Sequence, residues 1–340
     1  MHRIQSVFSG PAALVLLALW LPLATFAETS EQDTRPNILW IVSEDNGPWL
    51  GSYGDAMATT PRLDALAAEG IRYTRAYSNA PVCAPSRAAL ITGAYPIAFG
   101  TEHMRSSYKI PAEIRFYPEF LREAGYYTSN NSKKDYNTVD RPQAWDESSN
   151  TATYRNRAEG QPFFHIDNLG TTHESRLHRG SVPKNHDPAN VKLFPFHPDT
   201  PEARGDYAVY YDRLQDLDGE VGEILDRLEA DGLADSTIVF YYSDHGGAVA
   251  GTKRFLTEDG LHVPLIIRVP ERFRHLVGHA SSGTVGRPVS FVDLPVTLMR
   301  LAGIEPPGQM AGTSVLAGEG PTHAFAYGGR MDERRNLVRS

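Results

Sequence analysis

Two nearly continuous apolar runs constrain this chain more than any other feature. "PNILWIVS" (36–43) and "STIVFYYS" (236–243) lie about two hundred residues apart, and acids follow each at once, as Glu44-Asp45 and Asp244-His245. Short apolar runs without alternation read as strands buried on both faces, the pattern of a parallel sheet covered by helices. "IRYTRAY" (71–77), "PFFHIDN" (162–168) and "HVPLIIRVP" (262–270) add further strands, and "FYPEFLREAGYYTSN" (116–130) reads as helix, glycine stop and strand. Helices fall between them. "TPRLDALAAEG" (60–70) has Thr60 as N-cap, Pro61 at the first helical position and Gly70 as its stop. "SRAALITG" (86–93) is a short helix, an apolar stripe runs from Asp206 to Leu228, and "FVDLPVTLMRLAG" (291–303) is a late helix. The expectation is an α/β protein with a mainly parallel central sheet and helices on both faces. In such sheets ligands sit beyond the carboxyl ends of the strands, which is where the two acid pairs stand. The stretch 131–200 is rich in Pro, His, Asn and Gly, and reads as long loops of the kind that carry function.

Three acids and an imidazole converging at strand ends would suit a hard divalent cation, Ca²⁺ or Mg²⁺, better than zinc. Taken singly, each pair reads equally as a solvated loop or a helix cap. Arg87 lies four residues after Cys83, about one helical turn, so both can face one point. Lys133, Lys134, Lys253 and Arg254 are further basic residues after strands, with His173 and His262 as free candidates. Cations beside a metal in an acidic protein are what an enzyme handling an anionic ester needs.

Residues 1–27 read as a secretory signal, with a basic start, the apolar run "AALVLLALWLPLA" and cleavage after Ala27. That run is shorter than the ~20 residues of a membrane span, so no stable membrane insertion is expected once it is cleaved. The expected location is periplasmic or secreted. The balance of 41 acids against 33 bases, without a long basic run, excludes nucleic acid as a partner. Export favours disulfides, yet the chain has one cysteine, Cys83, in "PVCAPSRAALITG" (81–93). Residue chemistry leaves three readings: a buried thiol, a cysteine nucleophile beside a histidine, or a modified residue.

"CAPSRAALITG" resembles the signature of the sulfatases, in which a maturation enzyme oxidises this cysteine to formylglycine. "RPNILWIVSEDNG", "TPRLDALAAEGIRYTRAYSNAPVC", "GYYTSNNSK", "STIVFYYSDHGG" and "KRFLTEDGLHVPLIIR" resemble other blocks of that family, from about Asn37 to Gly303. The resemblance implies an alkaline-phosphatase-like fold and one catalytic domain over 28–340. It implies Ca²⁺, with Mg²⁺ as the alternative, held by Glu44, Asp45, Asp244, His245 and oxidised Cys83. It implies that Arg87 orients the hydrated aldehyde, while Lys133, Lys253 and His173 hold the sulfate or protonate the leaving group. One hydroxyl of the hydrate would attack sulfur, and loss of the other's proton would expel sulfate. The implied substrate is a sulfated carbohydrate, weakly of the sulfamidase-like branch. Three features depart from the family pattern. Glu44-Asp45 replaces Asp-Asp, and Lys133-Lys134-Asp135 replaces Lys-x-His, with Tyr136 or Asn137 left to line the pocket. The chain also stops at "YGGRMDERRNLVRS", so the small C-terminal subdomain is expected to be missing or incomplete. A phosphatase or phosphonate hydrolase on the same fold, and an inactive sulfated-glycan-binding relative, are the alternatives.

Overall fold

Seven consecutive buried residues form the strand at the centre of the molecule, β1 (Asn37–Ser43). The computed structural model describes residues 35–105, 107–177 and 181–329, and the signal read at 1–27 lies outside them. After β1 come α1 (Pro61–Glu69), β2 (Ile71–Tyr77), α2 (Cys83–Thr92), α3 (Tyr117–Glu123), β3 (Tyr127–Asn131) and β4 (Glu147–Ser148). β5 (Phe163–Leu169), α4 (Pro201–Ala230), β6 (Thr237–Ser243), the single turn α5 (Glu258–Leu261) and β7 (His262–Arg268) follow. The described chain closes with β8 (Gly283–Val285), β9 (Val289–Ser290) and α6 (Asp293–Leu301). No helix among the described residues is long and apolar enough to cross a membrane.

Among the described residues the strands form one sheet in the order β4-β3-β5-β1-β6-β7-β2-β8, with β9 beside β2. All pairings are parallel except those of β7, which runs antiparallel to both β6 and β2. The sheet is therefore mainly parallel, as the apolar runs imply. Alternate side chains of a strand face opposite sides, and β1 feeds two cores in this way. Ile38, Trp40 and Val42 join α2, α3 and α6 on one face, while Leu39 and Ile41 join α1 and α4 on the other. Trp40 packs against Tyr117, Phe164, Phe240 and Tyr242 at centroid distances of 5.1–5.9 Å. Deleting a buried ring of this kind costs about 3–5 kcal/mol.

Two helices begin earlier than their apolar patterns. α4 starts at Pro201, where Thr200 accepts from the Ala203 amide at 3.2 Å. Its first turn carries no apolar stripe, so only the cap and the proline mark it. α2 starts at Cys83, because Pro85 falls in the first turn, where no amide donor is needed. Gly93 ends α2 at φ 69°, a left-handed conformation suited to glycine.

Candidate active site

The register aligns the strand ends. Ser43 of β1 sits opposite both Leu169 of β5 and Ser243 of β6, and Asn131 of β3 sits opposite Asp167. Glu44-Asp45, Asp244-His245, His173 and Lys133 therefore leave the sheet at one end. The antiparallel β7 starts at that same end, with His262 beside Tyr77. Its reversal brings Lys253 from one side and Cys83, six residues past β2, from the other.

The side chains of Asp45, Asp244 and His245 are fully buried, and Cys83 is 1% exposed at the first position of α2. One ligand atom from each of these four lies within 4.8 Å of the other three. His245 Nε2 is 2.8 Å from Asp45 Oδ1 and 3.3 Å from Cys83 Sγ. Asp45 holds a left-handed backbone, φ 53°, which aspartate tolerates better than most residues. Burial disfavours charge on Asp244, yet His245, Arg87 and Lys133 outweigh it and hold the carboxyl at about 2. Burial likewise opposes Asp45, whose carboxyl His245 and Lys253 bring far below the usual range. Two ionised carboxylates and an imidazole around one point fit a divalent cation, and oxidising the thiol would add an oxygen donor.

A second group adjoins the first. Glu44, Cys83 and His173 bring their donor atoms within 4.8 Å of one another. Glu44 thus stands apart from the tight set of Asp45, and Cys83 belongs to both. Lys133 Nζ donates to Glu44 Oε2 at 2.6 Å and lies 3.9 Å from Asp244 Oδ2. Lys253 Nζ donates to Asp45 Oδ2 at 2.7 Å and is 3.4 Å from His173 Nε2. Arg87 Nε donates to Asp244 Oδ2 at 3.0 Å and Nη1 to Asn168 Oδ1 at 2.8 Å. Its Nη2 is buried without a protein partner among the described residues. Arg87, Lys133 and Tyr136 line a cavity of about 20 Å³, room for one water molecule.

Other sequence candidates stand away from this point. Lys134 pairs with Asp140 at 2.8 Å, and His262 Nε2 donates to the Thr74 carbonyl at 2.9 Å. Asn137 donates to the Thr101 carbonyl at 2.9 Å. Sequence reasoning missed several supports. Asn168 accepts from Arg87 and donates to Asn130 Oδ1 and the Asn131 carbonyl, each at 3.0 Å. Tyr210 donates to the Asp45 carbonyl at 2.8 Å, and the Glu174 amide to Asp45 Oδ2 at 2.7 Å. Asn168 is the penultimate residue of β5, inside the strand and not past its end as the acids are.

A mainly parallel sheet between helices, with its polar groups gathered at the carboxyl ends of the strands, defines an α/β protein with its site at that edge. The profile of the Sulfatase family matches residues 36–304, and the chain belongs to that family. It is 35% identical to an ulvan-active sulfatase of Formosa agariphila, over 90% of this chain and 59% of that protein. It is 29% identical to the N-acetylgalactosamine-6-sulfatase of Homo sapiens, over 81% of this chain and 64% of that protein. The chain thus spans about three-fifths of the length of these relatives. Among solved structures, the phosphonate monoester hydrolase of Agrobacterium radiobacter shares the fold at a TM-score of 0.71 and 19% identity, over 89% of this chain and 83% of that one.

Proposed function

We propose that this chain is a sulfuric ester hydrolase acting on sulfated carbohydrate, with Cys83 as the precursor of formylglycine. The observation that carries this reading is the position of Cys83, where the buried acid set and the basic ring meet. The ulvan-active relative supports a sulfated polysaccharide as the substrate class. Asp45, Asp244, His245 and the oxidised side chain at 83 would hold Ca²⁺, with Glu44 alongside and Mg²⁺ as the alternative. When bound, that ion supplies Lewis-acid polarisation of oxygen. A hydrated aldehyde at 83 supplies two hydroxyls on one carbon, one to take up sulfate and one to release it.

The remaining work falls to side chains already in place. Arg87, fixed by Asp244 and Asn168, orients the side chain at 83 one helical turn away. Lys133 and Lys253 enter from opposite loops and bracket a tetrahedral anion. In the unoxidised chain His173 is held above the usual imidazole range, first by the Cys83 thiol and then by Asp45 and Glu44, against partial burial and Lys253. After oxidation of Cys83 the two carboxylates are the groups left to favour its charge. An imidazolium there can give a proton to the departing sugar oxygen. The second basic group of the Lys-x-His pattern is absent, since Asp135 occupies that place, which leaves His173 as the acid.

The test is the mass of the tryptic peptide Ala76–Arg87, "AYSNAPVCAPSR", from a host that contains the maturation enzyme. An aldehyde in place of the thiol, with faster turnover of a sulfate ester than of the matched phosphate and phosphonate esters, is expected. An intact, alkylatable Cys83 from that host overturns the reading in favour of a glycan-binding relative. Faster turnover of phosphate or phosphonate would move the activity to that class. Export is part of the same reading, and a secreted product beginning at Glu28 is its check.

A further inference from the structure

One cation at the site has no task in the reaction proposed above. Arg254 follows Lys253 with a backbone φ of 73°, a conformation that costs a non-glycine residue on the order of 1–3 kcal/mol. Its amide donates to the Pro81 carbonyl at 2.7 Å, two residues before Cys83. Its Nη1 and Nη2 donate to Glu174 Oε2 and Oε1 at 2.8 and 2.7 Å. Glu174 is itself tied by its amide to Asp45 Oδ2. The guanidinium is thus fixed through two connections to the reaction centre.

A half-exposed ion pair contributes about 0–1 kcal/mol, too little to offset that backbone strain, so stability alone does not account for the arrangement. Arg254 donates twice to the Glu174 carboxylate, and Lys253 Nζ lies 3.4 Å from the same group. Two cations therefore saturate Glu174. The guanidinium is not saturated: Nε has no partner among the described residues, and the side chain is 47% exposed. A half-exposed planar guanidinium that keeps donors beyond its pair with Glu174 is suited to capture of a carboxylate or sulfate.

We propose that Arg254 forms a subsite for a second anionic group of the substrate, a carboxylate or a further sulfate close to the scissile one. The inference rests on the reading of this site as a sulfatase centre. Lys253 holds the scissile group, and Arg254, the next residue, reads what the sugar carries beside it. Glu174 is the positioning residue that holds the guanidinium in place. The site then selects a polyanionic glycan over a sugar with a single sulfate.

The test uses the full chain as Cys83→Ala, with and without Arg254→Ala, titrated calorimetrically with ulvan oligosaccharides. A parallel titration uses the same oligosaccharides after their carboxyl groups are reduced to alcohols. About tenfold weaker binding without Arg254 is expected, the scale of one charge-assisted hydrogen bond, with part of it restored by Arg254→Lys. A loss that vanishes on carboxyl reduction assigns the subsite to a carboxylate, and a loss that persists assigns it to a second sulfate. Equal affinity with and without Arg254 overturns the subsite, whereas no binding by Cys83→Ala itself counts against the sulfatase reading. In matured protein, the ratio of kcat/KM on the oligosaccharide to that on 4-nitrophenyl sulfate should fall about tenfold in Arg254→Ala. An equal loss on both substrates would make Arg254 a support of Lys253 and overturn the proposal.

Discussion

The acid nest and the basic rim of this site lie side by side but are built by opposite means. Asp45, Asp244 and His245 stand at or just past the ends of central strands and are closed off from solvent. His173, Glu174 and Arg254 ride on loops, are partly exposed, and are held mainly by one another. The nest is rigid because the sheet sets it, and a cation needs that fixed geometry. The rim is set by side-chain pairs and two single amide hydrogen bonds, from Arg254 to Pro81 and from Glu174 to Asp45, and not by a sheet, which suits the glycan-reading role proposed for it.

The largest expected effect tests the nest. Asp244→Ala removes the carboxylate that pairs with Arg87 and leaves that guanidinium buried and partly unsatisfied. Unfolding in denaturant should show a loss of about 3–5 kcal/mol. Initial rates on a sulfate ester should fall by at least about 10³-fold, and cation affinity should drop with them. A mild phenotype would show that the nest does not depend on this carboxylate. Next comes Arg87→Lys, which keeps the charge but cannot span Asp244 and Asn168 together. Its kcat should fall about 10²-fold with KM little changed, as steady-state kinetics would show; wild-type rates would mean the fork is unimportant.

Asn168→Ala sharpens the boundary between the two regions, since Asn168 links Arg87 to β3. A loss of about 1–2 kcal/mol in transition-state stabilisation is expected, read from kcat/KM, and Asn168→Asp should lose less at Arg87 than Asn168→Ala. The smallest effect concerns the rim and acid. The folded-state pKa of Glu174 is lowered to about 2 from 4.5, so its pairing stabilises the fold above about pH 4.5. That contribution fades as pH falls from 4.5 toward 2. The Tm gap between wild type and Arg254→Ala should be about 1–2 °C at neutral pH and shrink over this window. A gap that is constant with pH would detach Arg254 from Glu174.

The same contrast decides what the sequence discloses. Buried strands announce themselves as apolar runs, and the rule that ligands gather at carboxyl ends then points to Asp45, Asp244 and His245. Cys83 and Arg87 are legible from one contiguous motif opening a helix. Asn168 and Glu174 are not, because a single amide or acid has no periodicity and its partners lie far away in sequence. The reversed direction of β7 is also silent, since an apolar run reads the same either way. Glu44, read with Asp45 as a ligand pair, is also within reach of Lys133 and His173, contacts that the sequence does not announce.

The long reach of the site's contacts has a consequence for the order of events in the chain's history. Arg87 meets Asp244 across 157 residues, the Asp45 amide meets Asp244 across 199, and Lys253 meets Asp45 across 208. During synthesis none of these ties can close until the ribosome has delivered the second partner, and distant closures are also the slow ones. Through that interval Cys83 is a side chain on an open segment, where the oxidation proposed for it can take place. Once β6 and the loop through Lys253 settle beside β1, the same sulfur is enclosed. On the proposed reading of Cys83, that closure is the deadline for its oxidation.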